Sequence, residues 1–208
     1  MSILDKLSSQ VGDRTEAANK QVAARVLKES ALLTEIERGL LSPDAKLTGD
    51  CAEVMTMVAE EQPDLVAPYA DALIARLDHK NTRVRWESMH CVAEIAARVP
   101  DKIAPIVRTL DEMIVLDKSV IVRDHAIRAL GAYGSTSPVA ARRVWHHLRA
   151  ALVVWDGKHA GKALAAMQKL VDADATLKPE AQKIARRFVE HKSASVRMAA
   201  KRLLKEAA

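Results

Sequence analysis

Apolar residues recur along this 208-residue chain in sets of five at offsets 0, 4, 7, 8 and 11. The first set is Leu47, Cys51, Val54, Met55 and Val58, the second Val84, Ser88, Cys91, Val92 and Ile95, and the third Val122, Ala126, Ala129, Leu130 and Tyr133. His159, Ala163, Ala166, Met167 and Leu170 follow, then Val196, Ala200, Leu203, Leu204 and Ala207. Those offsets share one face of a helix with 3.6 residues per turn, so each set predicts one amphipathic helix with a buried stripe. Successive sets start 37, 38, 37 and 37 residues apart. A fixed period of this size predicts a helical repeat array, in which each unit buries its stripe against its neighbours.

Between the stripes lies a second helical segment, opened by proline, whose fixed φ and missing N–H are tolerated in a first turn. Pro63-Asp64 precede residues 65–77, Pro100-Asp101 precede 103–116, Ser137-Pro138 precede 139–154 and Lys178-Pro179 precede 180–190. Each unit therefore reads as a helical hairpin. Pro68 and Pro105 fall a few residues further in, where proline removes a helix hydrogen bond, so the first helix should kink or restart there. Ile3, Leu4, Leu7 and Val11 mark an N-terminal cap, about residues 1–17, ahead of a helical run over about 15–41. The units span about 18–62, 63–99, 100–136, 137–174 and 175–208. The expected fold is all-α: a single-domain right-handed α-α superhelix, an α-solenoid of about five hairpins. Arg197, Lys201, Arg202 and Lys205 give the last helix, about 196–207, the polar outer face that an end repeat needs.

The turns inside the hairpins repeat as well. They read His79-Lys80-Asn81-Thr82-Arg83-Val84-Arg85, Asp117-Lys118-Ser119-Val120-Ile121-Val122-Arg123 and His191-Lys192-Ser193-Ala194-Ser195-Val196-Arg197. This pattern resembles the HEAT repeat family, whose antiparallel helix pairs carry an Asp in the turn and Val-Arg at the start of the second helix. The resemblance is most specific over residues 63–136 and 177–206. It implies that Arg85, Asp117, Arg123 and Arg197 form a structural ladder between neighbouring units. Two units depart from it. Leu47-Thr48 stands for Val-Arg in the first, and His159-Ala160 in the fourth, within Trp155-Asp156-Gly157-Lys158-His159-Ala160-Gly161. The fourth unit should stack differently, with Gly157 and Gly161 permitting a sharper turn or a closer helix approach.

Composition supports helices over sheets: hydrophobic residues make up 49% of the chain but aromatics only 3%, so Ala, Val, Leu and Ile must fill the core. Cys51 and Cys91 fall on core offsets and read as small buried hydrophobes in a reducing compartment. The N-terminus has no apolar stretch of signal length, and no window approaches the roughly 20 apolar residues of a membrane span. Cytoplasmic residence with no membrane partner is the expectation. The net charge of +5 hides an asymmetry: residues 1–100 hold 12 basic and 16 acidic side chains, residues 101–208 hold 20 and 11. A basic C-terminal half can steer an acidic partner or a phosphate backbone, although a solvated helical surface gives the same count.

The HEAT resemblance also implies that the second helices line a concave surface. Offsets 2, 6 and 9 lie opposite the buried stripe and should face a partner there. They hold Gly49, Glu53 and Thr56; Trp86, His90 and Ala93; Asp124, Arg128 and Gly131; Gly161, Ala165 and Gln168; and Met198, Arg202 and Lys205. Trp86, His90, Asp124, Arg128, Arg202 and Lys205 are the candidate binding residues. Trp86 is the large aromatic among them, either a binding anchor or an edge residue tucked against the preceding unit. Trp145 and Trp155, in the first helix of the fourth unit, read as core. Catalytic and metal signatures are absent: there is no His-x-x-x-His, Cys-x-x-Cys, Gly-x-Ser-x-Gly or phosphate-binding glycine loop, and no cofactor is implied. The expected function is a non-enzymatic scaffold or adaptor holding a protein partner in the groove. The alternative is nucleic-acid binding through the basic half. That alternative includes a loose resemblance to alkylpurine DNA glycosylases built from HEAT-like repeats, carried by Trp86, Asp124 and Arg128.

Overall fold

In the computed structural model, which describes residues 2–206, 79% of the described residues are helical and none is in a strand. They group into two compact units, one ending at Val99 and one beginning at Pro100. The first holds α1 (Ser8–Val11), α2 (Ala17–Lys28), α3 (Leu33–Leu40), α4 (Ala45–Glu61), α5 (Pro63–Val66), α6 (Ala70–Ile74) and α7 (Thr82–Ile95). The second holds α8 (Pro100–Ile103), α9 (Val107–Leu116), α10 (Val120–Gly134), α11 (Pro138–Ala151), α12 (Ala160–Ala173), α13 (Lys178–Arg186) and α14 (Ala194–Glu206).

Pro68 and Pro105 act as their missing N–H groups require. Each sits in a single 3-10 turn, Ala67–Tyr69 between α5 and α6 and Ala104–Ile106 between α8 and α9, after which the helix restarts. The run expected over residues 15–41 is broken too. Glu29 leaves the helical region (φ −129°, ψ 71°) and a 3-10 turn, Ser30–Leu32, separates α2 from α3. A straight helix of that length would extend roughly 40 Å, well past the roughly 25 Å of the 17-residue α4, and the break lets both pieces pack against α4.

Side-chain caps fix where the helices begin. Asp44 Oδ1 accepts from Lys46 N (2.8 Å) at α4, Asn81 Oδ1 from Arg83 N (2.9 Å) at α7, and Ser137 Oγ from Ala140 N (3.1 Å) at α11. All five stripes face inward. Leu47 and Leu204 are half-buried, Ala207 lies outside the described residues, and the other stripe positions are buried. Cys51 and Cys91 are unpaired and fully buried, and burial pushes both thiols far up, so they behave as hydrophobes. The close helix approach sits at Gly131 of α10, where an added Cβ would lie 2.7 Å from Ala166 Cβ of α12. Gly161 is different: a Cβ there would meet Val196 at an ordinary 3.6 Å, so its packing does not demand glycine. No helix among the described residues is long and apolar enough to cross a membrane.

Candidate binding clefts

Three turns share one hydrogen-bonding device. Arg85 Nη1 donates to His79 O (2.8 Å), Arg123 Nη1 to Asp117 O (2.6 Å) and Arg197 Nη1 to His191 O (2.8 Å), each reaching back six residues. At the same turn position, Asp117 Oδ1 accepts from Ser119 N (2.7 Å), while His79 Nδ1 and His191 Nδ1 accept from Asn81 N (3.0 Å) and Ser193 N (3.1 Å). Two histidines thus do the work of the turn aspartate, because a ring nitrogen with a lone pair accepts a backbone N–H as a carboxylate does. The register of the three turns pointed to this, but residue type concealed it.

The fourth unit has no such arginine and is built around His159 instead. His159 is 1% exposed and Arg123, whose guanidinium it meets, is 2% exposed. Arg123 Nε donates to His159 Nε2 (2.9 Å), so Nδ1 carries the ring proton and donates it to Asp124 Oδ1 (2.7 Å). Arg123 also lies over the Trp155 ring, 4.0 Å from its centroid. Trp155 (φ 53°), Asp156 (φ 55°) and Gly157 (φ 72°) form three successive left-handed residues. Glycine adopts this region freely and aspartate tolerates it, but a tryptophan there costs on the order of 1–3 kcal/mol. The indole is held by Arg123 and by its own Nε1–H, which donates to Ile114 O (3.2 Å). Trp155 is therefore not core, contrary to its expected placement. At 44% exposed it stands at the surface, because the left-handed turn swings it out of α11. Trp145 is buried as expected, with Nε1 donating to Glu180 Oε2 (2.7 Å).

That turn forms one wall of a cleft of about 770 Å³ in the second unit. Gly161, Ala165, Gln168, Met198 and Arg202, all from the expected partner-facing offsets of α12 and α14, line it together with Asp124. Val196, Ala199 and Met198, the last 57% exposed, give it an aliphatic floor. Lys158, Lys162, Lys169, Lys192 and Arg202 surround that floor, and none of the five forms an ion pair within the described residues. Gln168 Oε1 is a buried acceptor without a partner. Sequence reading missed the four lysines, since they lie beside the expected face: Lys158 follows the left-handed turn, Lys162 and Lys169 are on α12, and Lys192 is in the turn before α14.

The first unit carries its own cleft, about 1040 Å³, lined by Trp86, Arg83, Glu87, Asp50 and Glu53 among others. Trp86 is half-buried on its wall. Arg83 Nη2 donates to Asp50 Oδ1 (2.7 Å) and Glu53 Oε2 (3.0 Å), and Asn19 Nδ2 donates to Glu53 Oε2 (2.6 Å). Burial alone would raise the Asp50 carboxyl, but hydrogen bonds from Ser9 and Arg83 hold it below the usual carboxylate range. Glu87 goes the other way: burial, then the neighbouring Glu53, push it up to about 8. The expected partner face of α4 is not available. Gly49, Glu53 and Thr56 are buried, because α1, α2 and α7 cover α4 nearly all round.

The remaining candidates lie apart from these clefts. His90 is half-buried, with Nε2 3.3 Å from Glu60 Oε1 and 3.4 Å from Glu94 Oε1. Arg128 Nη1 donates to His125 Nδ1 (3.1 Å), and Lys205 is exposed on α14. Asp124 and Arg202 share the second-unit cleft; Trp86 belongs to the first-unit cleft.

No family model and no curated protein sequence matches the chain. Solved structures do. A designed armadillo repeat protein superposes with TM-score 0.73 at 14% identity, covering 99% of this chain and 98% of its own. An engineered protein gives TM-score 0.68 at 16% identity over 100% and 97% of the two chains. A designed armadillo repeat protein in complex with the peptide (KR)4 gives 0.68 at 16% over 99% and 98%. The fold is thus an all-helical α-solenoid.

Proposed function

We propose that this chain is a non-enzymatic scaffold of HEAT-like hairpins that holds an extended acidic segment of a protein partner in the second-unit cleft. The observation that carries the reading is the set of five cations without an ion pair among the described residues, Lys158, Lys162, Lys169, Lys192 and Arg202, around the aliphatic floor of Val196, Met198 and Ala199. Carboxylates satisfy the cations and apolar side chains cover the floor. The apolar floor has no counterpart in a phosphodiester backbone, which favours peptide over nucleic acid. The strained Trp155 turn supports the same reading, since backbone strain concentrates where a structure is shaped for binding. The peptide-bound designed neighbour shows what such a fold holds in that protein, and its basic ligand is opposite in charge to the one proposed here. The proposal places the protein in a reducing, cytoplasmic compartment, where Cys51 and Cys91 stay as thiols.

Fluorescence anisotropy with labelled peptides tests it. An acidic peptide with interspersed leucines should bind, a basic one of the same length should not, and the Lys162→Glu, Arg202→Glu double variant should weaken binding at least about tenfold. Equal binding of both peptides refutes the reading. So does tighter binding of duplex DNA with affinity falling by orders of magnitude between low and physiological salt, which is the mark of phosphate contacts.

A further inference from the structure

We infer that Glu60, His90 and Glu94 form a binding site for a divalent transition-metal ion, Zn2+ by its chemistry, that ties the end of α4 to α7. His90 and Glu94 are four residues apart on one face of α7, and Glu60 is in the last turn of α4. One donor atom from each, His90 Nε2 and a carboxylate oxygen of each glutamate, all lie within 4.8 Å of one another. Zinc binds imidazole nitrogen at about 2.0–2.1 Å and carboxylate oxygen at about 2.0–2.2 Å, so two ligands at the tetrahedral angle stand roughly 3.3–3.5 Å apart. The separations from His90 Nε2 are 3.3 Å to Glu60 and 3.4 Å to Glu94. Both separations from His90 thus match zinc spacing, and the two carboxylates lie within 4.8 Å of each other.

Three protein ligands leave a fourth position for water or for a side chain supplied by a partner. Glu60 is half exposed, which gives an ion a path to the ring nitrogen. Imidazole with two carboxylates suits Zn2+ over Mg2+, which keeps most of its waters and prefers oxygen ligands. The sequence conceals the site because its third ligand comes from the preceding hairpin, 30 residues before His90. The competing arrangement is a protonated imidazole paired with the same two carboxylates, and it makes a different prediction: zinc then has no effect.

The full chain is titrated with Zn2+ in calorimetry, and its thermal unfolding is followed with and without the ion. One Zn2+ per chain should bind, and free Zn2+ at 100 times Kd should raise Tm by about 5–10 °C. Mg2+ should do neither. His90→Ala and the near-isosteric Glu60→Gln should each weaken Zn2+ binding at least about tenfold. His147→Ala, which removes the imidazole 3.0 Å from Asp111 in the second unit, should leave it unchanged. Absence of saturable binding overturns the site, as does undiminished binding in His90→Ala or its loss in His147→Ala. None of these outcomes depends on which partner occupies the second-unit cleft.

Discussion

Replacing His159 by Phe keeps a ring in a site that is 1% exposed and removes both nitrogens. The cost is set by what each partner can do afterwards. Asp124, with a side chain 27% exposed, turns to water and loses little. Arg123 is 2% exposed and cannot. Its Nη1 keeps the 2.6 Å bond to Asp117 O, but its Nε–H is left buried without an acceptor, a loss of about 1–3 kcal/mol. Arg123→Met removes the other side: His159 Nε2 is orphaned, Asp117 O loses its donor, and the cation over Trp155 goes, so the total should be larger, about 2–5 kcal/mol. The double variant leaves neither nitrogen nor guanidinium unpaired, so its cost should fall short of the sum by about 1–3 kcal/mol. Urea unfolding followed by far-UV circular dichroism and tryptophan fluorescence measures all three, since Trp145 and Trp155 both report on the second unit. Strict additivity, or a His159→Phe effect below about 0.5 kcal/mol, would show that the buried network contributes nothing beyond shape.

Two further outcomes follow from the first unit. Trp86→Ala should cost well under the roughly 3–5 kcal/mol of a core truncation, because Trp86 is half-buried on a cleft wall, while a partner recovered with the wild type should bind at least about fivefold more weakly; a core-sized drop in stability removes its role as an anchor. Glu87, raised to about 8 from the ordinary 4.5, binds its proton more tightly folded than unfolded, so stability should fall by about 3–5 kcal/mol as pH rises from 4.5 to 8, and Glu87→Gln should flatten that slope in urea unfolding at the two ends of the range. An unchanged slope in the Gln variant would assign the pH dependence to other groups.

The periodic part of the fold was legible because it is one-dimensional. Each stripe is a local pattern, and the prolines mark their breaks directly: Pro68 and Pro105 announce the 3-10 turns that split the first helices. What the pattern could not carry is how many neighbours a helix has. Glu53 sits at an offset that faces outward in a regular array, yet α2 lies across it and Asn19 donates to its carboxylate. A polar residue on the far side of a stripe looks the same in sequence whether it meets water or a buried asparagine. The break at Glu29 is invisible for a related reason, since nothing in residues 15–41 records the length of α4 against which they pack.

The second-unit cleft illustrates a different limit. The missing Val-Arg of the fourth unit was visible as a departure, but its structural effect depends on a residue 36 positions earlier. Arg123 performs the turn-closing role of its repeat and also meets His159 and Trp155, so one side chain ties the regular third hairpin to the irregular fourth. The fourth hairpin has Ala160 at the arginine position, and its turn is left-handed at Trp155, Asp156 and Gly157. The chain keeps a turn that costs stability; Arg123 and His159, which hold it, are buried, and Asp124, hydrogen-bonded to His159, lines the cleft. Lys158 and Lys162 line the same cleft and form no ion pair among the described residues. The proposed binding of an acidic segment gives that strained turn a role, since it stands beside cations set around an apolar floor.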